Sequence, residues 1–367
     1  MNARQRIQNL LSFKEPDRIG RTDSFWEDTL SRWRQEGFPA DVHPADHFGF
    51  DFDYIYLDAS LRLPERLIED TDEYTVREDK HGFTAKQWKG HAGALGYLSH
   101  AITDEASWKQ LKPRLDPDFG KGCRMHTASY FEPFVEWPTW EEAKAAFVRI
   151  RERERFILVT VYGPFEAIWR AHGFEQTLMD LALQPEFARE LFETHVSLVI
   201  GVLRDALRRG IRPDGLFLIE DLGFCSGPLM SLDAYRRTLF PAHRRLGAFL
   251  DEQGIAYFAH SDGDVRAFIP SLIEAGVKVL QPLEARAGLD VRTLKAQYGR
   301  DLTFMGNINV DRLGGSKKDI EKEVRDKVLI AKKGGGYIYH SDHSVPPQVS
   351  LENYRTLMKC LHKYGHY

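Results

Sequence analysis

From residue 156 onward, short apolar runs return at intervals with an amphipathic stretch between each pair. The runs are FILVTVYGPF, DGLFLIEDLG, IAYFAHSDG, VKVLQPLE, DLTFMGNIN and GGYIYHSDH, separated by segments such as EFARELFETHVSLVIGVLRDALRRG and LDAYRRTLFPAHRRLGAFLDEQG. A strand that is apolar on both faces needs cover on both faces, and connections long enough to hold a helix make successive strands parallel. DRIGRTDSF and FDYIYLDAS supply earlier strands, so the pattern predicts a (β/α)8 barrel. The rival, a doubly wound open sheet that cradles a pyrophosphate, needs a Gly-rich turn after a strand. Here no GxGxxG follows a strand, and Gly334 to Gly336 precede one.

The rhythm breaks between 62 and 115. ERLIEDTDEYTVREDKHGFTAKQWKGHAGALGYLSH alternates with period two and carries turn signals at KHG and GAL. The expectation is one domain, 1–367, with an inserted β-hairpin subdomain at 62–115 over the barrel mouth. Of the 367 residues 43% are hydrophobic and 28% charged, which permits a large core and argues against disorder. A net charge of −4 gives no basic surface for nucleic acid or an anionic membrane. Three cysteines without a CxxC pair exclude a disulfide framework and a cysteine-rich zinc site, and predict a reducing, cytoplasmic setting. MNARQRIQNLLSF has the pattern of an amphipathic helix, and neither export nor a membrane span is expected.

Two of the apolar runs end alike, in AHSDGD (259–264) and YHSDHSVPP (339–347). His260 and Asp262, two residues apart at a strand end, share one face. Glu220 and Asp221 close FLIED, so one should point over the mouth and the other into the wall. Around a closed barrel, Glu220, His260, Asp262 and His343 converge as a nitrogen and oxygen set suited to zinc or a similar divalent ion. Isolated strand-end groups of this kind more often serve as satisfied structural side chains or caps; it is their number on one face that points to chemistry. Tyr162 and Glu166 in VYGPFEAIW either face the pocket or pack and cap. Phe165, Trp169 and Phe224 are candidates for an aromatic wall around a flat ligand, and Cys225 lacks a nearby histidine.

The segments ARQRIQNLLSFKEPDRIG, VYGPFEAIW, DGLFLIEDLGFCSGPLMSLDAYRRTLFPAHRRL, HSDGDVRAFIPSLIEAGVKVLQPLE, MGNINVDRL and GGGYIYHSDHSVPPQVSLENY together resemble the uroporphyrinogen decarboxylase superfamily, which also contains corrinoid-linked methyltransferases. The resemblance implies a (β/α)8 barrel. The decarboxylases' RQAGR-like segment is missing, although Arg21, Arg32 and Arg34 lie in that region. The methyltransferase branch is closer: His260 stands at its zinc-binding His, Asp262 and His343 replace its two cysteines, and Glu220 takes a carboxylate position. With thiolates replaced by harder donors, the resemblance implies activation of an oxygen leaving group rather than a thiol. The expected activity is zinc-dependent transfer of a methyl group from a methoxylated aromatic, an O-demethylation, to the Co(I) corrinoid of a separate protein. Glu220, His260, His343 and Tyr162 are then the catalytic candidates, with Phe165, Trp169, Phe224 and Asp221 binding substrate. DKHGFT at Asp79 lacks the last glycine of a corrinoid-carrier motif, so the corrinoid is expected on the partner. The alternatives are a metal-free decarboxylase of a carboxylated ligand and a non-catalytic binding barrel. The sequence leaves homodimerisation open.

Overall fold

A computed structural model of the chain describes residues 1–90, 95–120, 122–129 and 132–367. In chain order the strands are β1 (Gly20–Arg21), β2 (Phe52–Leu57), β3 (Arg66–Asp70), β4 (Tyr74–Asp79), β5 (Phe83–Trp88), β6 (Leu95–His100), β7 (Met125–His126), β8 (Phe156–Tyr162), β9 (Gly215–Ile219), β10 (Gly223–Phe224), β11 (Gly227–Pro228), β12 (Ala256–Ser261), β13 (Val279–Pro282), β14 (Thr303–Met305) and β15 (Tyr337–Tyr339). Nine of them form one sheet in the order β1-β15-β14-β13-β12-β9-β8-β2-β7. All neighbours in it are parallel except β7, which runs antiparallel to β2.

The apolar runs behave as period-two strands covered on both faces. In β8, Ile157, Val159 and Val161 enter the outer core beneath the helices, whereas Phe156 and Leu158 meet Phe52, Phe258, Val279, Met305 and Ile338 in a separate inner cluster. That inner cluster exists because the sheet curls around it. The amphipathic helix Ala3–Leu11 seals its lower end with Ile7 and Leu10, both fully buried. Burying each such side chain contributes about 1.5–3 kcal/mol.

The sheet does not ladder all the way round. At the seam between β1 and β2 the Asp51 N–H donates to the Arg21 carbonyl at 2.8 Å, while the Asp51 carboxylate accepts from Arg6, Arg18 and the Arg21 N–H. Higher up, β7 pairs with Tyr56 and Leu57. The α/β sheet is therefore curled, with eight parallel strands and with β7 on the upper edge of β2.

The inserted segment is more elaborate than the expected hairpin. β3 to β6 form a four-stranded antiparallel meander, followed by a helix at Glu105–Leu111 and a 3-10 turn at Lys112–Leu115. The KHG turn lies between β4 and β5. An additional turn at Asp72–Glu73 carries no glycine or proline and is held by Thr71 Oγ1, which accepts from the Glu73 and Tyr74 N–H groups. Of the expected GAL turn, Gly93 and Ala94 lie outside the described residues. The meander docks beside the upper end of β8: Arg170 donates to Tyr97 Oη at 2.5 Å, and the His81 and Tyr162 rings are 5.5 Å apart.

Candidate metal centre at the strand ends

Alternation along the strands decides which polar groups face the interior. In β9, Phe217 and Ile219 line the internal cavity, and Asp221 continues their face. Leu216 and Leu218 enter the outer core, and Glu220 continues theirs. In β12, Phe258 belongs to the inner cluster, and His260 and Asp262 follow it to the cavity. Donor atoms of Asp221, His260 and Asp262 all lie within 4.8 Å of one another. His260 Nε2 is 3.3 Å from Asp221 Oδ1 and 4.0 Å from Asp262 Oδ2. His343 Nε2 approaches the same Asp262 oxygen at 3.9 Å, its ring stacked on Trp26 at 6.0 Å.

These groups border a cavity of about 1210 Å³ that also meets Tyr54, Tyr56, Tyr162, Glu166, Arg170, Gln281 and His340. Electrostatically the cluster is a cation trap. Burial disfavours the His260 imidazolium, yet Asp262, Asp221 and the bond to Gln281 together push its pKa up to about 10. Burial and the nearby Asp221 raise Asp262 despite His260 and His343. Asp262 Oδ1 is buried without a hydrogen-bond partner among the described residues. An orphan carboxylate oxygen beside a second carboxylate and a histidine fits a divalent cation, because such a cation supplies the charge and the bond the protein withholds.

The sequence of residues 142–364 matches the family model described as uroporphyrinogen decarboxylase (URO-D). The chain belongs to this family. Two curated uroporphyrinogen decarboxylases align with shorter stretches: that of Syntrophotalea carbinolica is 29% identical over 142 residues, 37% of this chain and 39% of the relative. That of Vesicomyosocius okutanii is 31% identical over 78 residues, 21% of this chain and 22% of the relative. The chain thus spans well under half the length of either. Among solved structures, a methyltransferase from Methanosarcina mazei superposes with a TM-score of 0.64 at 13% identity over 99% of both chains, which establishes a shared fold. The family match takes in β8, β9, β12, β13, β14 and β15, and so the whole Asp221, His260, Asp262 and His343 cluster.

Glu220, expected among the ligands, is turned the other way. Its Oε1 accepts from the Phe165 N–H at 2.8 Å and lies 3.4 Å from His243 Nε2, whose Nδ1 meets Tyr235 Oη at 2.9 Å. It satisfies the N-terminus of the helix Pro164–His172 from the wall side, and a Cβ at Gly163 would fall 1.5 Å from its Oε2. Asp221, assigned to substrate, takes the place expected of Glu220. Phe165 is fully buried against Phe174 and Phe192, and Phe224 is 62% exposed on the β10–β11 hairpin, so neither lines the cavity. Trp169 is half-buried and donates its indole N–H to Glu166 Oε2 at 2.9 Å, also outside the cavity wall. The aromatic lining includes instead Tyr54, Tyr56, Tyr162, Phe217, Phe25 and Trp26.

Tyr162 does face the cavity, with the Arg170 guanidinium 4.5 Å from its ring centre, and burial holds its phenol well above the usual range. Glu166 receives Arg170 at 2.5 Å. Burial lifts its pKa to about 7, Arg170 opposing and Asp221 adding to the rise. Gln281 and His340 escaped the sequence reading. The signal for Gln281 was a lone amide closing the apolar run VKVLQ, and for His340 it was the repeated HSD phrase itself.

Proposed function

We propose that this chain is a divalent-metal-dependent methyltransferase that moves a methyl group from a small methoxylated aromatic to the Co(I) corrinoid of a separate protein. In this reading the curled sheet is a (β/α)8 barrel, one domain of residues 1–367, with 62–115 beside its mouth, working in the cytoplasm. The observation that carries it is the convergence of Asp221, His260 and Asp262, with His343 at hand and one carboxylate oxygen unpartnered, on an aromatic-lined cavity. Those four residues would hold the ion, preferably zinc, with Asp221 in the position first expected of Glu220. When bound, the ion supplies Lewis acidity at the ether oxygen of the substrate.

The chain's own side chains do the rest. Tyr54, Tyr56, Tyr162 and Phe217 offer flat walls to an aromatic ring, and the inner cluster beneath closes the cavity floor. Glu166, poised about pH 7, holds or releases a proton at the same cavity. No helix among the described residues is long and apolar enough to cross a membrane.

The family match also favours a metal-free decarboxylase of a carboxylated ligand. The cavity charges count against it. Of its arginines, Arg34 pairs with Glu27, Arg153 with Asp46 and Asp53, and Arg170 with Glu166. Arg21 donates to the Leu361 carbonyl and Arg32 to Glu36, both off the cavity wall. A ligand bearing many carboxylates would meet Asp23, Asp53, Asp221, Asp262 and Glu166 with those cations already engaged. The test is a panel of methoxylated aromatics with reduced cobalamin as acceptor. Spectral conversion to methylcobalamin with release of the phenol, dependent on His260, is the expected result. Release of carbon dioxide from a carboxylated ligand by metal-stripped protein would replace this reading with the decarboxylase.

A further inference from the structure

We infer that Gln281 and His340 are positioning residues that fix the tautomer and ring orientation of His260. The hydrogen-bond order stands on geometry and burial; its consequence for ion binding rests on the metal-site reading above.

A chain of hydrogen bonds runs from the Ser341 carbonyl to His260. His340 Nδ1 lies 2.6 Å from the Ser341 carbonyl and 3.8 Å from Asp23 Oδ1. Both oxygens can only accept, so that nitrogen carries a proton. In neutral imidazole the other nitrogen, Nε2, is then an acceptor, and burial does keep His340 toward the neutral form. The Gln281 amide nitrogen sits 3.4 Å from Nδ1 and 3.5 Å from Nε2 of that ring, so the amide turns its N–H side to His340 and its oxygen away. The oxygen meets His260 Nδ1 at 2.5 Å. An amide oxygen accepts only, hence Nδ1 of His260 keeps its proton, and when the ring gives up its second proton to make way for an incoming ion the nitrogen freed is Nε2, which faces Asp221 and Asp262.

Burial makes this order hard to reverse. Gln281 is 4% exposed and His340 5%, so although both border the cavity they have little contact with water that could substitute for these partners. Gln281 is held by the β12–β13 ladder directly beside His260, its partner in register. The direction of the relay is thus set at the Ser341 carbonyl and passed through His340 and Gln281 to His260.

The test uses the full-length protein, ¹⁵N-labelled at histidine, with Zn²⁺ alone as the probe, comparing wild type, Gln281→Leu and Gln281→Glu. Thermal melts report folding. Gln281→Glu keeps the acceptor for His260 Nδ1, so it serves as the conservative rescue. Loss of such an orienting partner lowers metal affinity by roughly 10- to 100-fold. The expected result is that loss for Gln281→Leu against a chelator, with wild-type affinity for Gln281→Glu. Zn²⁺ bound as tightly by Gln281→Leu as by wild type would overturn the inference. If the wild type takes up no Zn²⁺, the metal reading fails and the ring nitrogens decide. A slowly exchanging His260 Nδ1–H that disappears in Gln281→Leu sustains the positioning role, and the same resonance in both proteins, or in neither, overturns it.

Discussion

The tripeptide His-Ser-Asp ends two strands of this sheet, and the two copies do different work. In β12 the strand continues through Ser261, so His260 and Asp262 stay on the interior face and meet Asp221 at the cavity. In β15 the continuous strand ends at Tyr339, and within the tripeptide only Ser341 still pairs, as an isolated bridge to Ile308. Asp342 then turns into the wall, where its oxygens accept from the Val310 N–H at 2.8 Å and the Ala285 N–H at 3.1 Å. One aspartate is satisfied by backbone donors; the other keeps an unpartnered oxygen. A sequence phrase places a side chain at a strand end, and the length of the ladder decides whether it becomes a staple or a ligand.

The largest effect should come from exchanging the two aspartates' fates. Asp342→Ala strands two backbone N–H groups and should cost roughly 2–4 kcal/mol in denaturant unfolding, whereas Asp262→Ala should change stability by less than about 1 kcal/mol. Equal losses at both sites would erase the distinction. The same contrast separates two buried histidines. His172 is bonded through both ring nitrogens, to the Ile102 carbonyl at 2.7 Å and Asp180 at 2.8 Å. His195 has a partner at neither among the described residues, and burial, with nearby His81 adding, drives its pKa down to about 3. The unfolded chain therefore takes up the proton first, so the stability due to neutral His195 is complete above about pH 6.5 and is lost as pH falls toward the folded value. By pH 5 that loss amounts to about 2 kcal/mol, and His195→Leu should flatten it in unfolding titrations at pH 7 and pH 5. The smallest effect concerns Glu220, the carboxylate facing the wall. Glu220→Ala should cost about 1 kcal/mol through the lost helix cap while leaving bound metal unchanged; loss of metal in this variant would return Glu220 to the ligand set.

Much of the fold was legible because it rests on local patterns. The doubly apolar runs do form parallel strands, and the first helix seals the inner cluster with the residues its periodicity marks, Ile7 and Leu10. The seam was not legible: Met125 and His126 carry no strand signal, and only the nearness of Leu57 and Tyr56 makes them one. The meander was mistaken for a hairpin because its Asp72–Glu73 turn uses a threonine hydroxyl in place of glycine. At the site, His260 and Asp262 share a face through simple alternation. Asp221 could not be separated from Glu220, since both faces of GLFLI are apolar and either would suit a core. Phe165 and Phe224 misled for a common reason, that an aromatic near a strand end is as readily buried behind the wall or left on a hairpin as turned to the cavity. Gln281 was hidden because an amide has no chemistry until its neighbours orient it.

An ion at Asp221, His260 and Asp262 is the feature on which the proposed chemistry depends. Elemental analysis of untagged protein, repeated on His260→Ala and Asp342→Asn, tests this most directly. The prediction is about one divalent ion per chain in the wild type, retained in Asp342→Asn and absent from His260→Ala. A wild type that carries no metal after zinc supplementation, or a His260→Ala variant that keeps it, would contradict the account.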